Sequence, residues 1–162
     1  MKRIKNRIKS LNINQIGFNK GKGCELNLIK LQQKLEYWKH SGRQTNSLIT
    51  TIHLDIAAAF DSVPHKELYK QMHKKGYSEE IINTIKWLYN QTKINIDDEL
   101  ISIKKGVIQG GILSPKLFNI FYDTLLDKLE RVNLFMIAYA DDVVIATKGV
   151  NQITLAIKTT NE

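Results

Sequence analysis

The sequence predicts an α+β fold, and three observations carry that prediction. Helical stripes and two-residue alternations follow one another along the chain, with no internal repeat and no low-complexity linker between them. The 162 residues are 43% hydrophobic and include only two prolines, which suits one domain with a real core rather than a disordered chain. No apolar run approaches the roughly 20 residues a membrane span needs, and no secretory leader pattern opens the chain. The single cysteine, Cys24, excludes an internal disulfide framework and a cysteine-rich zinc site. These features lead us to expect an intracellular protein.

In order, residues 1–13 put Ile4, Ile8 and Leu11 on one helical stripe among lysines and arginines, a pattern that also suits a presequence or a membrane-surface helix. Gly17 to Gly23 is a basic, glycine-rich turn. A helix is expected from Glu25 to His40, its apolar face formed by Leu28, Leu31, Leu35 and Trp38. Ser47 to Ile56 alternate as a strand, with Asp55 at its end on the less oily face. Pro64 opens a short helix that Gly76 closes, and Ser78 caps the next, with Glu79 and Glu80 in its first turn. Thr92 to Ile103 read as a hairpin about Asp97-Asp98-Glu99, Gly106 to Gly111 as a loop, and Ser114 to Arg131 as a helix. Two apolar strands, Leu134–Ala140 and Val143–Ala146, then meet at Asp141-Asp142.

Charge is unevenly spread. Residues 1–43 hold 11 Lys+Arg against two acids, a net +9, so the remaining residues of this +8 chain net −1. A basic lobe beside a balanced body matches a polyphosphate partner, although a solvated lysine-rich surface would read the same way.

Asp141-Asp142 interrupts a run that a buried sheet would otherwise continue. Two adjacent carboxylates there repel one another and lose solvation unless a cation neutralises them. Asp97-Asp98 is the contrast, an acidic pair that Asn95 and Glu99 flank and that an ordinary solvated turn explains. Asp55 supplies a third acid at a strand end, where it serves either as a metal ligand or as a cap for the next segment. Three carboxylates together form a hard, oxygen-rich site suited to Mg²⁺, and two such ions about 3.5–4 Å apart support phosphoryl transfer without a protein nucleophile.

Four blocks in order carry a resemblance. Ala138-Tyr139-Ala140-Asp141-Asp142 resembles the Y-x-D-D box of reverse transcriptases, and Leu54-Asp55 through Phe60 resembles their first catalytic motif. Gly106 to Asn119, centred on Gln109-Gly110, is similar to their glutamine–glycine block, and Gln15-Ile16-Gly17-Phe18 through Lys22 to a fingers block. The flavour is that of non-long-terminal-repeat retroelements and related intron-type enzymes. The resemblance implies a right-hand polymerase palm, an antiparallel sheet packed on helices, with residues 1–46 as partial fingers and 47–162 as mainly palm with a fingers-type helical insertion.

By the same resemblance, Asp55, Asp141 and Asp142 hold two Mg²⁺ ions (Mn²⁺ being a substitute) with help from the Ile56 carbonyl. Phe60 excludes a ribose 2′-hydroxyl, or else simply packs in the core. Gln109 and Gly110 line the nucleotide and template pocket, and Lys20 and Lys22 touch template phosphates or remain solvated. The implied partners are an RNA template, a DNA primer and deoxynucleoside triphosphates, with no membrane. Ile108 stands where a proline is usual and Gly111 where a small hydroxyl residue is frequent. The chain is expected to be a truncated copy without the thumb and the upstream fingers segment, so the isolated chain should be inactive or nearly so. A non-catalytic RNA-binding remnant and an RNA-dependent RNA polymerase palm are the alternatives.

Overall fold

A computed structural model describes residues 10–41 and 48–161. The expected helix about Ile4 and Ile8 falls largely outside the described residues, and Ser10 to Asn12 are not helical. The elements are α1 (Cys24–His40), β1 (Ile49–Leu54), α2 (Ala59–Ser62), α3 (His65–Lys74), α4 (Glu79–Gln91), β2 (Lys93–Ile96), β3 (Glu99–Ser102), α5 (Ser114–Arg131), β4 (Phe135–Tyr139), β5 (Asp142–Lys148) and α6 (Val150–Asn161). Of the described residues, one compact unit contains 10–11 and 58–121, and the other 12–41, 48–57 and 122–161.

The second unit is built on an antiparallel sheet of order β1-β5-β4. Its register pairs Ile49 with Lys148 through to Leu54 with Val143, and Phe135 with Ala146 through to Tyr139 with Asp142. Opposed residues in such a ladder share a face. Val143, Ile145, Met136 and Ala138 make one face and are buried, while Asp142, Tyr139 and His53 on the other face are exposed. Residues 14–16 add a short parallel edge to β4, with the Ile16 N–H donating to the Ala138 carbonyl at 3.1 Å and the Ala138 N–H to the Asn14 carbonyl at 3.0 Å.

Helix α1 spans its expected range, and Leu31, Leu35 and Trp38 of its expected face are half-buried, while Leu28 is not. Leu28 is 60% exposed, and Asn27 is buried instead, its Nδ2 donating to the Ala138 carbonyl at 2.9 Å. That carbonyl also accepts from the Ile16 N–H, so Asn27 adds a second donor to it and fixes α1 to the junction of β4 with residues 14–16. Further along α1, Trp38 meets Phe135 edge-on at 6.3 Å. Helix α6, which periodicity alone does not announce, follows Gly149 at φ 89°, and its Gln152 side chain accepts from the Lys148 N–H at 2.8 Å.

The other unit packs α3 and α4 over a core that includes Val63, Leu68, Met72, Ile82, Ile85 and Phe118. Pro64 precedes α3, and the Ser78 side chain accepts from the Ile81 N–H at the start of α4, as expected. The β2–β3 hairpin turns on Asp97 and Asp98, both at positive φ (49° and 65°), the geometry of a type I′ turn. Val107 and Gly106 tie the following loop back to α2 and its exit through bonds to the Phe60 and Val63 carbonyls, both 2.7 Å.

Candidate active site

The β4–β5 hairpin closes through only two residues, Ala140 and Asp141, between the paired Tyr139 and Asp142. Ala140 has φ 56°, a conformation that glycine adopts freely and that costs a residue with a Cβ about 1–2 kcal/mol. The surroundings impose it. The buried Gln15 side chain donates from Nε2 to the Ala140 carbonyl at 2.8 Å and accepts at Oε1 from the Ala140 N–H at 3.0 Å. Gly17 allows this approach, since a Cβ there would lie 2.2 Å from the Ala140 nitrogen.

Asp55 follows the last residue of β1. Leu54 pairs with Val143, so one further step of the same register sets Asp55 opposite Asp142, on the face that carries Tyr139 and His53. Asp55 and Asp142 are exposed, Asp141 is half-buried, and Ile56 behind Asp55 is half-buried. The backbone therefore brings the three acids to one end of the sheet. Their side chains do not form a closed cluster: among the described residues, no three or more His, Cys, Asp or Glu side chains are arranged to hold a metal.

The field of the pair reaches Tyr122 on α5. Burial raises its phenol above the ordinary tyrosine value, and the negative charges of Asp141 and Asp142 raise it further. A cation at the carboxylates fits both the donor chemistry, hard oxygen ligands, and the negative charge felt at Tyr122. Lys20 and Lys22 lie exposed on the turn before α1.

In the other unit, the Phe60 ring stacks on Phe118 with centroids 5.1 Å apart and planes 8° from parallel. It is half-buried, so packing fixes the ring without enclosing it. Gln109 is exposed and donates from Nε2 to both carboxylate oxygens of Asp61, at 3.2 and 3.3 Å. Asp61 thus steers Gln109. Gly110 has φ 79° with open space where a Cβ would project, so within the chain its glycine serves backbone conformation. The tight glycine of this loop is Gly111, whose Cβ would fall 2.6 Å from Ser114 Oγ. A cavity of about 490 Å³ adjoins Gln109, walled by Tyr89, Ile94, Ile101 and Lys104 among others.

A family model described as "Reverse transcriptase (RNA-dependent DNA polymerase)" matches residues 1–162. The chain belongs to the reverse transcriptase family. Among its relatives is the Pol polyprotein of a type-1 retrotransposable element R2 from Nasonia vitripennis, 33% identical over 107 residues, covering 57% of the chain and 10% of that protein. An R2 polyprotein from Popillia japonica is 29% identical over 138 residues, covering 76% of the chain and 22% of that protein. The type-2 element R2DM of Drosophila melanogaster is 30% identical over 144 residues, covering 81% and 13%. The chain thus spans between 10 and 22% of the length of these three relatives. The retroelement type read from the motifs holds.

Among solved structures, apo telomerase from Candida tropicalis, truncated from its C-terminal domain, matches with a TM-score of 0.60 at 14% identity, covering 92% of this chain and 32% of that one. At that identity the likeness shows the fold, and it agrees with the expected mixed α+β palm. Reverse transcriptases run on divalent metal ions, in keeping with the carboxylate end of the sheet. No helix among the described residues is long and apolar enough to cross a membrane.

Sequence reading gave no role to Gln15, although it opens the fingers block. Its only local signal is a glutamine two residues before the glycine that lets it reach Ala140. Asn12 was likewise unmarked, yet its backbone N–H donates to Asp123 at 2.6 Å, and its Nδ2 donates to Asp127 at 3.2 Å and Glu130 at 2.8 Å.

Proposed function

We propose that the chain is the catalytic core portion of an RNA-directed DNA polymerase, adding deoxynucleotides to a DNA primer on an RNA template. In this reading residues 1–46 are partial fingers, and residues 47–162 are mainly palm with a fingers-type helical insertion. The observation that carries it is the register, one further step of which sets Asp55 opposite Asp142 and beside the turn that bears Asp141, at the exposed end of one sheet face.

Asp55, Asp141 and Asp142 would hold two Mg²⁺ ions, for which Mn²⁺ can substitute, with the Ile56 carbonyl assisting. Asp55 and Asp142 are exposed, so rotation about χ1 is open to both side chains. When bound, such ions lower the pKa of the primer hydroxyl and neutralise charge on the transferring phosphoryl group. The residues of the chain supply position. β1 and β5 hold the ligands on one rigid sheet, and the turn between β4 and β5 presents Asp141 at its tip.

Phe60, fixed by its stack on Phe118, would stand beneath the sugar and select against a 2′-hydroxyl. Gln109, steered by Asp61, and Gly110 would line the nucleotide and template pocket, with Lys20 and Lys22 on template phosphates. The net +9 of residues 1–43 supports a polyanionic partner.

The test uses a longer polymerase that carries these residues. Asp55→Asn and Asp141→Asn should each lower Mg²⁺-dependent primer extension by about a thousandfold or more. Extension by either variant at near the parent rate would remove the assignment. In the same assay Phe60→Ala should raise ribonucleotide incorporation about tenfold or more, corresponding to a loss of roughly 1.4 kcal/mol of discrimination. A parent that already prefers ribonucleotides would point to an RNA-dependent RNA polymerase instead.

A further inference from the structure

Gln15 makes hydrogen bonds to both backbone polar groups of Ala140, the residue immediately before the acidic pair. The orientation of its amide follows from chemistry. Oε1 accepts from the Ala140 N–H and also from the Gly17 N–H at 2.9 Å, so a reversed amide would turn its NH₂ toward two N–H donors. The side chain belongs to a residue only 2% exposed, in a segment bonded to β4 on one side of Ala138. Upstream, Asn12 fastens that segment to Asp123, Asp127 and Glu130, which lie along one face of α5. A continuous path of hydrogen bonds thus runs from α5 through residues 12–15 to the tip of the hairpin.

Ala140 needs such a clamp because it is not glycine. At φ 56° its Cβ disfavours the conformation, and relaxation of φ would rotate the following peptide and redirect Asp141. We propose that Gln15 is a positioning residue of the polymerase site, holding Ala140 at positive φ and thereby setting the direction in which Asp141 and Asp142 project. It touches neither metal nor substrate and acts through the backbone. The inference rests on the carboxylate reading above, and it adds that metal affinity depends on a residue of the fingers block.

The test compares the 162-residue chain with its Gln15→Leu variant, which keeps bulk and removes both hydrogen-bonding functions. Two readouts are followed: hydrogen exchange of the Ala140 amide by NMR, and Mn²⁺ binding by electron paramagnetic resonance. Gln15→Leu should speed Ala140 exchange about tenfold or more and weaken Mn²⁺ binding by about 10–100-fold, the usual effect of losing a group that orients metal ligands. Adding Ala140→Gly should restore most of the Mn²⁺ affinity, because glycine occupies positive φ without a clamp. A merely structural role for Gln15 would not be rescued in this way.

A folded Gln15→Leu chain with parental Mn²⁺ affinity overturns the proposal, and so does a loss that Ala140→Gly leaves unrepaired. Should Gln15→Leu not fold, Gln15→Met carries the same comparison. Asp141→Asn separates the two levels of the argument. If it binds Mn²⁺ as the parent does, the carboxylate reading itself fails and the clamp falls with it. If it loses Mn²⁺ while folded Gln15→Leu does not, the clamp alone is wrong.

Discussion

Gly17 and Gly110 belong to different blocks of the sequence and are glycine for opposite physical reasons. A Cβ on Gly17 would sit 2.2 Å from the Ala140 nitrogen and 2.9 Å from its Cα, backbone atoms that cannot move aside without opening the hairpin. Gly110 has nothing within 4 Å of that position but carries φ 79°. Gly17→Ala should therefore destabilise by about 2–3 kcal/mol or more, the cost of overpacking against a backbone that cannot yield. Gly110→Ala should cost only about 1 kcal/mol, the penalty of a Cβ in the left-handed region. Urea denaturation of both variants checks the order, and equal losses would contradict it. The sequence marks both positions as glycine and cannot say which reason applies. The distinction depends on a partner, Ala140, that lies far along the chain. Gln15 was illegible for the same reason: its meaning resides in the peptide that it meets.

At the scale of elements, most of the chain was readable, and the failures share a cause. α1, α3, α4 and α5 and the β2–β3 hairpin all stand where local pattern puts them, because apolar spacing, Pro64, Ser78 and the acidic turn act within a few residues. On α1, Leu31, Leu35 and Trp38 turn inward as their spacing predicts, and Leu28 gives way to Asn27, whose bond to the Ala138 carbonyl is invisible from within the helix. α6 was missed because its threonines and isoleucines favour strands. In the structure Thr154, Thr159 and Thr160 turn their hydroxyls back to the carbonyls four residues earlier, so their polar groups are met inside the helix.

The hairpin turn supports a direct test of element-level reasoning. Asp97 and Asp98 both hold positive φ, and a type I′ turn favours glycine at its second central position. Asp98→Gly should relieve that conformation and one like-charge repulsion with Glu99, stabilising the chain by about 0.5–1 kcal/mol. A thermal midpoint raised by about 1–4 °C would agree, and a lowered midpoint would show that the aspartates do something the turn geometry does not reveal.

For the whole molecule, the site was legible as chemistry before it was legible as geometry. The residues alone left Asp55 open between metal ligand and cap, the resemblance to reverse transcriptases joined it to Asp141 and Asp142, and one step beyond the β1–β5 register sets it opposite Asp142. The same carboxylates leave a trace in the molecule's response to alkali. Tyr69, Tyr77, Tyr89 and Tyr122 all have phenols raised above 10.0, in each case chiefly by burial, with Asp141 and Asp142 adding to Tyr122. A group whose proton is held more tightly in the folded state lends stability that is intact below its unfolded value and is lost as pH climbs through its folded value. Lys116 runs the other way. Burial first, and then the charge of Lys75, lower it from 10.5, so its contribution improves as pH rises toward that value.

The four tyrosines outnumber the one lysine, so the urea midpoint should hold or rise slightly up to about pH 10 and fall beyond it. A flat midpoint well above that pH would contradict the assignment. Replacing Asp141 and Asp142 together by asparagine removes the charge that adds to burial at Tyr122. Phenolate absorbance should then show one tyrosine ionising at lower pH than in the parent, and Tyr122→Phe should abolish that difference between the two backgrounds. If the double asparagine variant titrates as the parent does, the acidic pair does not project its field toward α5, and the hairpin tip is not oriented toward Tyr122.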